Sequence, residues 1–79
     1  MKARIFVTLK DGVLDPQGLA IQGALGALGF DGVASVRQGK VFDIELSDSR
    51  DAEARLKDMC AKLLANTVIE DFRVELSPR

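Results

Sequence analysis

Val33-Ala34-Ser35-Val36-Arg37-Gln38-Gly39-Lys40-Val41-Phe42-Asp43-Ile44-Glu45-Leu46 carries the strongest strand signal in the chain. Apolar and polar residues alternate on both sides of Gly39, the period of a strand that buries one face. A turn over Gln38-Gly39-Lys40 sets Ala34 and Val36 on the same face as Phe42, Ile44 and Leu46. The opposite face then carries Val33, Ser35, Arg37, Val41, Asp43 and Glu45. A two-residue turn would instead mix Asp43 with Val36, so the three-residue loop is preferred. The expectation is a hairpin of Val33–Gln38 with Val41–Leu46.

Working outward, Arg4 to Leu9 carries β-branched and aromatic residues in alternation and reads as a strand. Lys10-Asp11-Gly12 turns the chain. Asp15 is placed to cap a helix that opens on Pro16, which has no N–H to leave unpaired. Leu14 and Leu19 are spaced for a hydrophobic staple. The helix is predicted to run to about Leu28 and to end on Gly29. Ile21, Ala24, Leu25 and Leu28 form its predicted core stripe. Not one residue from Pro16 to Phe30 is charged. That neutral face admits two readings, a tolerated low-propensity helix or a face that meets another chain, with glycines permitting close approach.

Ser47-Asp48-Ser49 opens a second helix, with Ala52, Leu56, Met59, Cys60, Leu63 and Leu64 at three- and four-residue steps. Its charged residues fall on the opposite side. By this stripe, Leu63→Ala is expected to leave a core cavity. Val68 to Leu76 is the last strand. The order is β-α-β-β-α-β in one domain over residues 1–79. The predicted fold is a two-layer α+β sandwich of ferredoxin-like kind, a four-stranded antiparallel sheet with both helices on one face. Val33 and Val41 on the other face favour a partner there.

The composition narrows the function. Of 79 residues 47% are apolar, generous for a chain that buries only about 60% of its unfolded surface, so self-association is expected. Eleven basic residues meet twelve acidic ones, which argues against a grip on nucleic acid or an anionic membrane. The N-terminus lacks the apolar run of a signal peptide, and no segment approaches the ~20 apolar residues of a membrane span. A single cysteine in a helical pattern fits a reducing cytoplasm.

Reactive chemistry is scarce. Without histidine, Cys60 and the serines lack the usual neighbouring base, and a common zinc site lacks its ligands. The carboxylates Asp43, Glu45, Glu70, Asp71 and Glu75 do not converge on a point as Mg²⁺ would require. Gly23-x-x-Gly26-x-x-Gly29 lies inside a helix, not between strand and helix as a dinucleotide fingerprint would. Arg37 and Lys40 flank the hairpin turn and could receive a phosphate or a partner carboxylate. RNA recognition by this strand order would need aromatic residues on the sheet face, and Phe42 falls on the helix side.

Three blocks carry a resemblance that spans most of the chain. They are Val7-Thr8-Leu9-Lys10 with Gly12-Val13-Leu14-Asp15-Pro16-Gln17-Gly18; Ala24-Leu25 and Leu28-Gly29-Phe30 leading to Val36-Arg37-Gln38-Gly39-Lys40; and Cys60 with Lys62-Leu63-Leu64-Ala65-Asn66 and Val68-Ile69-Glu70-Asp71-Phe72. In these the chain closely resembles the PurS family, the small subunit of formylglycinamidine ribonucleotide synthase. Thr67 stands where the family usually has proline, and Gly23 and Gly26-Ala27 replace positions that are often charged. The resemblance implies a cytoplasmic, non-catalytic adapter that bridges a glutaminase (PurQ) and a synthetase (PurL) as a homodimer or dimer of dimers, and helps ammonia cross between them. ATP and Mg²⁺ would act on PurL, with no cofactor held by this chain. Arg37, Lys40, Asn66 and Glu70, with Lys10, Asp15 and Gly18 shaping the first turn, are the residues expected to carry partner recognition. A paired regulatory module of ACT-like kind, binding a small ligand, is the alternative.

Overall fold

Ala3, Ile5 and Val7 stand at alternate positions and are almost wholly buried, because the strand that carries them is paired on both edges. A computed structural model describes residues 1–77. Its elements are β1 (Lys2–Leu9), α1 (Pro16–Ala27), β2 (Gly39–Glu45), α2 (Ala52–Met59) and β3 (Glu70–Ser77). The sheet order is β2-β1-β3, both neighbours antiparallel to β1, with Ile5 opposite Phe42 on one side and Val74 on the other.

One face of the sheet is covered by α2, which contributes Ala52 and Leu56 and is followed by Cys60. Phe42, Ile44, Phe72 and Val74 pack at the margin of this core, so the predicted inward face of β2 is observed. The outer face is charged: Arg4 pairs with Asp43 at 2.8 Å, and Arg73 lies 4.4 Å over the Phe6 ring beside Glu75. Val41 stands exposed on this face, and Val33 lies half-buried in the segment that precedes β2.

The end of α2 corrects one expectation. Cys60–Leu64 forms a π-helical turn, in which the Ala65 amide donates to the Cys60 carbonyl at 2.9 Å. The extra residue in the turn changes which side chains face the sheet. Leu63, expected in the core, is 84% exposed, while Cys60 is fully buried and Leu64 half-buried.

The larger correction concerns the hairpin. The sheet has three strands among the described residues, not four, because Gln38-Gly39-Lys40 does not turn. Gly39 is already opposite Thr8, and the positive-φ glycines are Gly12, Gly29 and Gly32. The chain therefore passes from an irregular stretch at 33–38 into β2 without a turn. Side-chain interactions hold it on that course: Asp15 Oδ2 accepts from the Gln38 amide at 2.8 Å, and the Arg37 guanidinium bonds the Leu9 carbonyl and Asp11.

The helices are not both on the sheet. α1 runs beyond the end of β1, and residues 33–38 return beside it, with Gln22 Nε2 donating to the Ala34 carbonyl at 3.1 Å. The local signals for α1 are all met: Asp15 Oδ1 accepts from the Gly18 amide, Pro16 opens the helix, and Gly29 follows it at φ 92°. Its predicted core stripe and staple are not. Gly18 is its single buried residue, and Leu14, Leu19, Ile21 and Leu28 are exposed. Helix and return segment thus form an arm. It stretches the molecule to 49 × 28 × 14 Å and raises the radius of gyration to 15.9 Å, against about 12 Å for a compact chain of this length.

Candidate partner-docking site

All seven residues singled out in the sequence meet where the arm is rooted, at the C-terminal end of β1. Two turns build the place. Lys10-Asp11-Gly12 ends β1, and the Lys10 amide donates to the Ile69 carbonyl at 2.8 Å, which brings the turn before β3 alongside. That second turn is organised by Asn66, whose Oδ1 accepts from the Val68 amide and whose own amide donates to Glu70 Oε1 at 2.7 Å. Glu70 is thereby drawn inward. Its side chain is 12% exposed, and Oε2 faces Lys40 Nζ at 3.7 Å across the end of the sheet.

Around this pair the charges alternate. Lys10 faces Asp71 at 3.7 Å and Arg37 pairs with Asp11 at 2.8 Å. An open groove of about 310 Å³ lies between the helix start and the strand ends, lined by Leu9, Asp15, Gln17, Gln38, Lys40 and Glu70 among others. Its cations are neutralised within the chain, so the groove offers no field that would gather an anion. Among the described residues no group of three Cys, Asp or Glu side chains is placed to hold a metal ion. Burial pushes the Cys60 thiol above its usual pKa, the opposite of an activated nucleophile. Among the described residues no helix is long and apolar enough to cross a membrane.

Gly18 and Asp15 make the joint stiff. A methyl group built on Gly18 would lie 2.3 Å from the Val36 carbonyl oxygen and 2.8 Å from Asp15 Oδ2. Only glycine lets the first turn of α1 touch the returning strand. The amide of Gln38, then that of Gly18, hold the Asp15 carboxyl below its ordinary pKa of 3.8, with Arg37 adding a smaller pull. A depressed carboxyl pKa means that the anchoring contributes above the ordinary carboxyl range and is lost as pH falls through the folded value. The Gly18 and Gln38 amide resonances are therefore expected to shift together in acid, with one midpoint below 3.8. Asp15→Asn should abolish that common step; two separate midpoints in the unaltered chain would break the assignment.

Sequence reasoning found the cations and missed their counterparts. Asp11 is read from sequence only as part of a turn and Asp71 as a carboxylate too far from others to hold Mg²⁺, whereas here they pair with Arg37 and Lys10. Gln22 and Gln38 act through contacts across 12 and 23 residues of chain, which no local spacing signals.

Comparison with known proteins bears on what this place does. The family model for PurS, phosphoribosylformylglycinamidine (FGAM) synthase, matches residues 2–78. The phosphoribosylformylglycinamidine synthase subunit PurS of Bacillus subtilis is 49% identical over 76 residues, covering 95% of this chain and 90% of the relative. The subunit of the same name from Mycobacterium leprae is 49% identical over 73 residues, with 92% and 91% covered. Among solved structures, B. subtilis PurS in a C2 crystal form superposes with a TM-score of 0.87 at 49% identity, covering 94% of each chain. A chain in the structure of PurLQS from Thermotoga maritima superposes with a TM-score of 0.78 at 30% identity, covering 94% of this chain and 93% of that one.

Proposed function

The chain belongs to the PurS family, subunits of FGAM synthase in purine biosynthesis, and from that premise we propose that it is a non-catalytic adapter in the cytoplasm. It bridges the glutaminase PurQ and the ATP-dependent synthetase PurL and supports the passage of ammonia from one to the other. It works as a homodimer or a dimer of dimers, and the joint described above is where its polar contacts to the other subunits are made. The observation that carries this is the match, over 94% of this chain, to a chain in a PurLQS structure. Two features of the chain support it. The acid–base and nucleophilic groups that chemistry would need are scarce, with no histidine and a single cysteine that is buried. An arm carrying Leu19, Ile21, Leu28 and Phe30 exposed has more apolar surface than a solitary chain keeps.

The test supplies PurL and PurQ with and without this chain, using glutamine in one series and ammonium in the other. Glutamine-dependent synthesis is expected to require the chain, and synthesis from high ammonium to depend on it far less. Equal rates with and without it in both series would overturn the proposal. In the same assay Arg37→Ala is expected to weaken glutamine-dependent synthesis, because it frees the arm from the Leu9 carbonyl and Asp11, while the melting temperature stays near that of the unaltered chain. The guanidinium is half exposed and its ion pair is of the kind worth about 0–1 kcal/mol. Full activity and assembly in that variant would remove Arg37 from the docking site.

A further inference from the structure

The chain contains the dipeptide Asp-Gly twice, at Asp11-Gly12 and at Asp31-Gly32. In each the glycine stands at positive φ, 85° and 84°, and a β-carbon built on it would meet nothing within 4 Å. Both aspartates are exposed. A glycine that follows an aspartate leaves its own amide nitrogen open to the aspartate carboxyl carbon, because it has no side chain to shield the approach. Sequence and exposure are shared, and what separates the two places is how the chain is held.

Asp11 is tethered. The Val13 amide donates to the Lys10 carbonyl at 3.1 Å and closes the turn around Asp11-Gly12, while the Lys10 amide is fixed on the Ile69 carbonyl at 2.8 Å. The Asp11 carboxylate lies 2.8 Å from Arg37 Nη1, and the same guanidinium is seated on the Leu9 carbonyl. Asp31-Gly32 has neither restraint. The main chain is tied to α1 at Phe30, whose amide donates to the Leu25 carbonyl at 3.0 Å. It is tied again at Val33 and Ala34, whose carbonyls accept from Gln22 at 3.4 and 3.1 Å. Between these ties Asp31 and Gly32 make no hydrogen bond, and Asp31 no ion pair, among the described residues.

We propose that Asp31-Gly32 is a site of aspartyl-to-isoaspartyl rearrangement, and that Arg37 protects Asp11-Gly12 from the same reaction. The Gly32 nitrogen attacks Cγ of the Asp31 carboxyl in its protonated form. The N–Cγ bond forms, the Cγ–OH bond breaks, and the hydroxyl leaves as water with the amide proton. The product is a succinimide ring. Water then adds to one of its two carbonyls. Opening at Cγ restores aspartate, and opening at the main-chain carbonyl leaves the chain linked through Cγ with the α-carboxylate bare. The water lost in the first step is regained in the second, so no other reactant is consumed. Ring closure requires the carboxyl and the next amide to turn toward each other, which the untied turn at Asp31-Gly32 permits. At Asp11 the same closure would have to break the ion pair with Arg37 and reopen a closed turn. The rearranged residue lengthens by one atom the main chain that joins α1 to the returning segment. Its new α-carboxylate is the group that an S-adenosylmethionine-dependent isoaspartyl methyltransferase esterifies.

The test incubates the full chain for weeks near neutral pH, folded in one series and unfolded in urea in the other. Isoaspartate is then labelled with an isoaspartyl methyltransferase and S-adenosylmethionine, and located by peptide mapping with fragmentation that marks the β-linkage. In the folded chain the product is expected at position 31 in several-fold excess over position 11. In urea the two positions are expected to draw level, since each is the same dipeptide stripped of its surroundings. Arg37→Ala is expected to raise the folded-state yield at position 11 several-fold. Asp31→Glu, which would have to close a larger ring, is expected to lose the product at position 31 and keep the low yield at position 11. Equal yields at the two positions in the folded chain, or a contrast in urea as large as in the folded chain, would overturn the role of tethering. Absence of isoaspartate at position 31 would overturn the site itself. An unmoved yield at position 11 in Arg37→Ala would overturn the protection by Arg37.

Discussion

Leu56→Ala is expected to cost about 2–5 kcal/mol, the range for a buried leucine truncated in a core that cannot fully collapse. The Leu56 side chain is wholly enclosed, with a relative accessibility of 0%, and it packs in the core formed with Ile5, Val7 and Cys60. In a domain of this size each kcal/mol lowers the melting temperature by roughly 4–8 °C, so the change should be plain in a thermal melt. The same substitution at Leu63 should do little. Leu63 is 84% exposed, and Leu63→Ala is expected to stay within about 0.5 kcal/mol. The pair tests the π-turn directly. Equal losses at the two positions would mean that the helix continues with its ordinary period and that Leu63 is in the core.

Gly18→Ala acts on the other half of the molecule. The added methyl meets the Val36 carbonyl at 2.3 Å, and a backbone atom cannot step aside without moving the strand that carries it. Overpacking of this sort costs about 1–3 kcal/mol. Because Gly18 is not among the residues of the core cluster, the cost falls on the joint between α1 and the returning strand, and Leu56 and its neighbours keep their packing. If the arm has to hold this geometry to engage other chains, the same energy appears as a Kd raised about 5- to 150-fold. Titration of the variant against the other copy and against PurL with PurQ measures it. Gly23→Ala is the control: its Cβ would meet nothing within 4 Å in the protomer, and an interior helical position gains about 0.5–1 kcal/mol from alanine. Normal affinity in Gly18→Ala would show that the joint yields without consequence.

Much of the local structure was legible because its causes are local. Asp15 followed by Pro16 starts a helix and Gly29 follows its end, whatever lies around them, since each satisfies or avoids main-chain groups within a few residues. The faces of β2 came from period alone. Arg37, Lys40, Asn66 and Glu70 stood out in the sequence as polar residues at expected turns, while their gathering near one end follows from the register of β1 with β2 and β3. The pairing of Lys40 with Glu70 and the convergence of Lys10 with Asp71 needed the folded chain.

Alternation says which side chains share a face, and by period alone Phe42 and Ile44 were placed together on the inward face, where they pack against the core. It does not say whether the chain turns at Gly39 or runs on. A turn at Gln38-Gly39-Lys40 and a straight passage through it give the same facing. The forces that choose between them are long-range: the Asp15 carboxylate on the Gln38 amide and the Arg37 guanidinium on the Leu9 carbonyl. These draw residues 33–38 beside α1, carry that helix off the sheet, and leave its apolar stripe in the open.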